Sequence, residues 1–402
     1  MGRLTNILHY TVFALILLAM AVFAALQTPR VQTAITARVI STLEDSFDAD
    51  IELESVHFKP VNTLLVKGLS IVDLKPCTDG ARDTLLYAGS IGIRFSISSL
   101  LSPLHDDVII KEVKLKDTQF NFVIEGGEWG NNLKRMFKLI KKEDKTPMRE
   151  ADVLTIHNII AENLSFSMQN FNVGKKSLPA NAIDWADMGV DRINLRAREF
   201  TISHGLFSAM VDHLEFKERT GWTVKELKCS TVTGKGRALI SGVELYDGVT
   251  DAKFDFSMTG SSEDFTDFVN KVVLDARIRK GKFSLEMLSR FIPPLAPTPG
   301  VCLDANGHVY GPVRDLTAKD FVMKVERSSV AMTLNGKVTG LPDVNAMNIE
   351  AKLDPIRFKL TDLCALVNAI APRARMDAGK LAGTGLFTAV ASAKGTLRKT
   401  DP

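Results

Sequence analysis

Much of this chain alternates apolar and polar residues with a period of two. The alternation is clean at Phe120, Phe122 and Ile124; at Ile193, Leu195 and Ala197; and at Phe254, Phe256 and Met258. It returns at Phe321, Met323 and Val325; at Val330, Met332 and Leu334; and at Ile349, Ala351 and Leu353. Successive side chains of a strand point to opposite faces, so each run predicts a strand with one apolar face. The residues between are polar or charged, as Lys253, Asp255 and Ser257 illustrate. The body is therefore expected to be mostly β, an antiparallel sheet with one apolar and one solvated face.

The first residues follow another pattern. Tyr10 to Leu26 are apolar apart from Thr11, without charge or proline. At ~1.5 Å per residue this run reaches about 26 Å, enough to cross a bilayer as a helix. Phe13, Leu17 and Phe23 are its anchoring residues. A cleaved signal peptide is the competing reading, but its apolar stretch is usually only about 7–15 residues, and this longer run passes into Gln27-Thr28-Pro29-Arg30 without a clear small-x-small cleavage site. The expectation is an uncleaved, single-pass membrane anchor. Flanking charges orient it poorly, because Arg3 and the terminal amine face Arg30 and Arg38.

Beyond the anchor, Val31, Ile35, Val39, Ile40 and Leu43 have helical spacing and predict an amphipathic stalk over 28–48. Two further helices are expected among the strands. One, from Trp129 to Lys145, sets Leu133, Met136, Phe137 and Ile140 against a lysine-rich side. Such a helix either lies on an anionic membrane surface or caps the sheet with its lysines solvated. The other begins after Ser261-Ser262, where Ser261 and Asp264 have capping-box spacing and Phe265, Phe268, Val269 and Val272 form the stripe to be buried.

The last third repeats itself. Phe283-x-Leu285-x-x-Leu288 recurs as Phe358-x-Leu360-x-x-Leu363, each leading into a short helix that ends near proline, at Pro293-Pro294 and Pro372. Glycine-flanked strands are expected at Gly307 to Gly311 and Gly379 to Gly383, with a related one at Gly336 to Gly340. Strand glycines mark bends or close backbone approach, so the expected sheet is curved, groove-like, repeat-built and elongated. The domain reading is 1–27 tip and transmembrane anchor; 28–48 stalk; 49–260 an N-terminal β region with a helical insertion near 129–145; and 261–402 a repeat-built β region with short helices.

Composition changes this picture little. The net charge of +3 is too small and too evenly spread for a nucleic-acid-binding domain. Cys77, Cys229, Cys302 and Cys364 lack metal or redox spacing and are expected to be buried free thiols, with one or two disulfides left open for an oxidising compartment. Asp212-His213, with His204 nearby, is the nearest approach to an acid–base pair, but neighbours on a strand face opposite ways. His57 beside Glu52 and Glu54 is equally unconvincing, since a metal site needs three ligands that converge. With no nucleophile elbow, phosphate loop or zinc motif, neither an enzyme nor a cofactor is expected.

The chemistry on offer is the apolar sheet face, lined by Phe120, Phe122, Ile193, Leu195, Phe254, Phe256, Met323, Met332 and Leu334. Such a face either packs as a closed core or stays open to lipid or to a partner strand, and periodicity does not separate the two.

Thr28-Pro-Arg-Val-Gln32, Asp50-Ile-Glu-Leu-Glu-Ser-Val56, Lys67-Gly-Leu-Ser-Ile-Val-Asp73 and Asp83-Thr-Leu-Leu-Tyr-Ala88 together resemble the N-terminal region of the AsmA-like family in its TamB-type (translocation and assembly module) branch. Phe200-Thr-Ile-Ser-His-Gly205, Phe207 and Phe216-Lys-Glu-Arg-Thr-Gly-Trp222 are similar to that family's long forms. The resemblance implies an inner-membrane anchor with a cytoplasmic N-terminus and a periplasmic β structure curled into an apolar groove. It also implies a part in phospholipid transport toward the outer membrane, in outer-membrane protein assembly, and in protein secretion. The family's far longer body and its contact domain for an Omp85-type outer-membrane protein have no counterpart here, so the chain is expected to be a fragment or a truncated form. The alternative is a membrane-tethered structural or protein-binding module with a closed β core.

Overall fold

The computed structural model describes residues 49–396 except 60–61, 75–83, 96–107, 126–129, 137–153, 175–177, 204, 235, 262–263, 293–297, 342–346, 371–375, 378–382 and 384; residues 28, 33, 36 and 37 are also described. The expected anchor, with Phe13, Leu17 and Phe23, lies outside the described residues. Of the expected stalk, Thr33, Thr36 and Ala37 are helical. No helix among the described residues is long and apolar enough to cross a membrane. The chain is mostly β, and it divides into two compact units, 1–174 with 186–194, and 175–185 with 195–402.

In the first unit, β1 (Ala49–Glu52) and β2 (Ser55–Lys59) pair with opposite ends of β3 (Thr63–Asp73), which pairs with β4 (Thr84–Phe95) and through it with β5 (Val108–Ile124). Gly68 separates the two halves of β3. Its φ of +61° suits glycine, and a Cβ there would come within 2.7 Å of the Glu54 Cβ. β6 (Leu154–Asn170) runs parallel to β5, Val108 beside Leu154 through Ile124 beside Asn170. This corrects the expectation of an antiparallel sheet throughout. The long connection between β5 and β6 allows the chain to return to the end from which β5 started, which a hairpin cannot do.

That connection contains α1 (Asn132–Met136). The expected helix from Trp129 starts later, because Gly130 has a φ of +73° and Asn131 forms a β-bridge with Ile124; residues 137–145 lie outside the described set. Leu133 packs on the buried cluster of Ala49, Ile51, Ile71 and Leu85. Asn132, fully buried, accepts from Val123 N at 3.1 Å and donates to Asn121 O at 2.9 Å, so its amide stands in for a neighbouring strand.

β7 (Asp187–Ser203) carries the chain from one unit into the other. The second unit then adds strands in sequence order: β8 (Leu206–Glu218), β9 (Thr223–Gly234), β10 (Arg237–Tyr246), β11 (Asp251–Thr259) and β12 (Val273–Ser284). They are followed by β13 (Cys302–Pro312), β14 (Asp315–Val325), β15 (Ala331–Thr339), β16 (Asn348–Phe358) and β17 (Phe387–Thr396). Each strand from β8 onward is antiparallel to the next.

Short helices close the strand ends. A 3₁₀ turn (Asp264–Asp267) runs into α2 (Phe268–Lys271), and the predicted capping box is present: Asp264 N donates to Ser261 Oγ at 3.2 Å and Ser261 N to Asp264 Oδ2 at 2.7 Å. Of the expected stripe, Val272 is fully buried and Val269 half-buried, whereas Phe268 is exposed, because this helix ends after one turn. The repeated motifs both run from a strand into a helix, β12 into α3 (Leu285–Phe291) and β16 into α4 (Leu360–Ile370). Of the expected strand from Gly379 to Gly383, residues 379–382 lie outside the described residues and Gly383 sits in a turn at φ +94°; the strand that follows is β17.

Candidate apolar sheet face

The candidate site is the apolar face, and its continuity depends on how the strands register. Residues opposite one another on paired strands share a face. In the first unit one row runs Val56, Val66, Ile91, Leu115, Ala161 and another runs Ile51, Ile71, Leu86, Phe120, Phe166, each crossing five strands with apolar residues only. Phe120 and Phe166 stack at a centroid separation of 6.0 Å, and Phe122 lies beside Met168.

By simple alternation these two rows would lie on opposite faces of β5, since Leu115 and Phe120 are five residues apart. Asp117 between them has a φ of +50°, and a left-handed residue inserted in a strand shifts the pleat by one. Burial follows the shift: Lys114 and Lys116 are exposed before it, Gln119 after it, and Thr118 is buried. Asn163, opposite Asp117 on β6, repeats the conformation at φ +56° and donates from Nδ2 to Asp117 Oδ1 at 2.7 Å.

The second unit repeats this device in every pair. Each ladder from β8 to β17 carries a register shift near its middle. A bulge bends its strand, so a line of aligned bulges bends this unit's sheet. The N–H groups freed at these bulges find side-chain acceptors on the neighbouring strand: Gly242 N donates to Asp255 Oδ1 at 2.7 Å and Asp320 N to Asn335 Oδ1 at 2.8 Å. Pro355, which has no N–H to offer, occupies the shift between Leu353 and Ile356.

With the shifts counted, one row starts at Leu214 on β8 and passes through Leu245, Ala305, Met323 and Met332 to Ala389 on β17, every strand supplying an apolar residue or glycine. A second row, on the other side of the bend, runs from Ile240 through Phe256, Ala276, Val309 and Ala318 to Ala393.

The structure divides the nine expected lining residues between the units. Phe120, Phe122 and Ile193 belong to the first; Leu195, Phe254, Phe256, Met323, Met332 and Leu334 belong to the second. All nine are half-buried. Sealed apolar residues lie in the same rows, at Ile51, Val56, Ile71, Ala161, Leu245, Ala252 and Ala305; Phe120 packs on the cluster of Ile51 and Ile71, and Phe254 on that of Val224 and Val243. The opposite face carries cross-strand ion pairs, among them Arg94–Glu112 at 3.0 Å, Lys253–Glu244 at 2.8 Å and Lys394–Glu350 at 3.1 Å.

Sequence reasoning missed one buried charge cluster in the first unit. Arg135 on α1, 6% exposed, donates from Nε to Asp73 Oδ2 at 3.0 Å and also pairs with Glu125; Asp73 is 1% exposed. Burial works against the guanidinium's charge, but its hydrogen bonds to Asp73 and Glu125 outweigh burial and hold its pKa above the ordinary value. The signal in sequence was slight, a lone arginine on an otherwise lysine-rich helix.

Asp212 and His213, neighbours on β8, engage separate partners. Asp212 Oδ1 accepts from Arg198 Nε at 3.0 Å, and His213 Nε2 lies 3.9 Å from Glu215 Oε2; His204 lies outside the described residues. Cys229, Cys302 and Cys364 are free thiols, and burial pushes the first two up in pKa, away from the reactive thiolate. Among the described residues no three His, Cys, Asp or Glu side chains converge as metal ligands. No protein-family model, curated protein or solved structure matches this chain.

Proposed function

We propose that this chain is an inner-membrane-anchored, periplasmic protein of cell-envelope biogenesis whose apolar sheet face carries phospholipid acyl chains toward the outer membrane. The observation that carries this reading is the pair of unbroken apolar rows in each unit, in which half-buried residues such as Phe120, Phe256, Met323 and Met332 stand beside sealed ones such as Val56, Ile71, Ala252 and Ala305. An acyl chain needs such a line of apolar contacts and nothing base-specific or catalytic, and hydrocarbon gains about 0.8 kcal/mol for each CH₂ it removes from water. Small residues at Ala318, Gly336 and Ala351 keep side chains short along the second row, whereas in the first row the Phe283 ring covers Gly281. The resemblance to TamB-type sequences supports the same compartment, and it extends the role to outer-membrane protein assembly and secretion, with an Omp85-type protein as partner. A closed, protein-binding β module is the competing reading and makes the opposite prediction.

The experiment replaces Phe256 and Met332, one at a time, with Asp and reads thermal unfolding beside phospholipid co-purified with the detergent-extracted protein. In a lipid-lined face each carboxylate keeps water or headgroup contact, so the expected result is a folded protein with reduced bound lipid. In a closed core an unpaired buried charge costs several kcal/mol, comparable with a domain's whole stability. Large losses of melting temperature, with no phospholipid in the parent protein, would refute the proposal.

A further inference from the structure

The polar face of the second unit carries a groove of about 740 Å³ across β14 to β17. Its floor is Ala318, Gly336, Ala351 and Ala393, which lie in register on the four strands. These residues point their own side chains to the apolar face, so the groove meets them as backbone, and its walls are the side chains of their neighbours in sequence. Each strand puts one lysine into those walls: Lys319 on β14, Lys337 on β15, Lys352 on β16 and Lys394 on β17. Every one of them directly follows its floor residue, and because successive strands run antiparallel the four alternate from one wall to the other. At about 4.8 Å between strands, the line of lysines spans about 14 Å.

We infer that this groove binds an extended, phosphate-rich polyanion. Among the residues that line it, Glu350 is the one acid. Three of the lysines are in ion pairs, Lys337 with Asp315 at 2.8 Å, Lys352 with Asp354 at 2.9 Å and Lys394 with Glu350 at 3.1 Å, and every side chain of these pairs is at least 44% exposed. Pairs so exposed are worth little, and the released carboxylates stay in water, so these lysines turn to a ligand at small cost. Lys319 is exposed and makes no ion pair among the described residues. Shape and charge together select the occupant. A flat bilayer surface does not enter a groove between two walls of lysine stems, whereas a single chain lies along its floor. Nucleic acid calls for a row of stacking rings, and Tyr310 is the one aromatic residue in the lining. No arginine lines the groove, so the planar fork that grips a carboxylate at two points is missing; lysines act as point charges and answer to charge density, which is high along linked phosphates. The groove lies on the face opposite the apolar rows, so the inference stands whether or not those rows carry lipid.

The test titrates the full chain in mild detergent with inorganic polyphosphate, read by calorimetry. The parent is expected to bind saturably, and more weakly as salt rises, because the contacts are between exposed charges. Lys319→Glu and Lys352→Glu should each weaken binding severalfold, whereas Glu350→Gln, which removes the one acid in the lining, should tighten it. Lys280→Glu makes the same change of charge at an exposed position of β12, outside the groove, and should leave the affinity near that of the parent. All these substitutions sit at exposed positions, so opposite shifts at 350 and 352 would not follow from misfolding. Orthophosphate and a short-chain phosphatidylglycerol, each with a single phosphate, should displace polyphosphate only at far higher phosphate concentration. Four results would each overturn the inference: no saturable binding by the parent, equal weakening by Lys280→Glu, shifts of the same sign at 350 and 352, or displacement by either monophosphate at matched phosphate concentration. Tighter binding of oligothymidylate than of polyphosphate would also overturn it, in favour of nucleic acid.

Discussion

At the scale of single residues, the structure places its polar investments at strand ends and bends. Arg135 joins α1 to β3 through Asp73, and both charges are almost sealed from water. Such a pair is weak evidence of net stabilisation, but removing one partner strands the other, at a cost of about 3–5 kcal/mol. Arg135→Ala is therefore expected to unfold the first unit at markedly lower urea, measured by the shift of its denaturation midpoint. A gentler contact ties α4 to the turn before β15: Asp362 Oδ2 accepts from Ser329 N at 2.7 Å, and those bonds hold its carboxyl below the ordinary 3.8. For an acid with a depressed folded pKa, the contribution is complete above the unfolded value and is lost as pH falls through the folded one. Stability of the parent should thus decline below about pH 4 more steeply than that of Asp362→Asn, read as the pH dependence of thermal unfolding.

At the scale of elements, the governing feature is the aligned register shift. A flat strand of eleven or more residues would keep its alternation from end to end. Here each long strand changes step near its middle, so apolar residues on both sides of the bend share one face. Glycine is required where neighbouring backbones close in. Gly307 has a φ of +145°, and a Cβ there would meet the Phe321 Cα at 2.6 Å, whereas a Cβ on Gly385 would meet nothing within 4 Å. Gly307→Ala is expected to cost about 1–3 kcal/mol and Gly385→Ala close to nothing, a difference that parallel thermal melts would resolve. The runs of alternation legible in the sequence are short for the same reason. Ile349, Ala351 and Leu353 end where Asp354-Pro355 begins, and Phe321 starts just after Asp320 at φ +47°. Each run marked one half of a strand correctly, but the relation between halves rested on a backbone conformation that no periodicity encodes.

At the scale of the whole molecule, the proposed role requires residues 10–26 to hold the chain in a membrane. The expected outcome is a protein that begins at or near Met1 and resists carbonate extraction; an N-terminus after Ala25 in the mature protein would remove the anchored reading. By itself the sequence determined what is local: strands with one apolar face, the capping box at Ser261 and Asp264, and the two strand-to-helix motifs at Phe283 and Phe358. These follow from side-chain period and from hydrogen bonds between near neighbours, which a short window of residues contains. Tertiary structure alone decided that β5 and β6 run parallel, that Arg135 finds Asp73 across 62 positions, and that the apolar rows join from strand to strand. Those outcomes depend on register, and register is a relation between residues far apart in the chain, set by which bulges align when the strands come together.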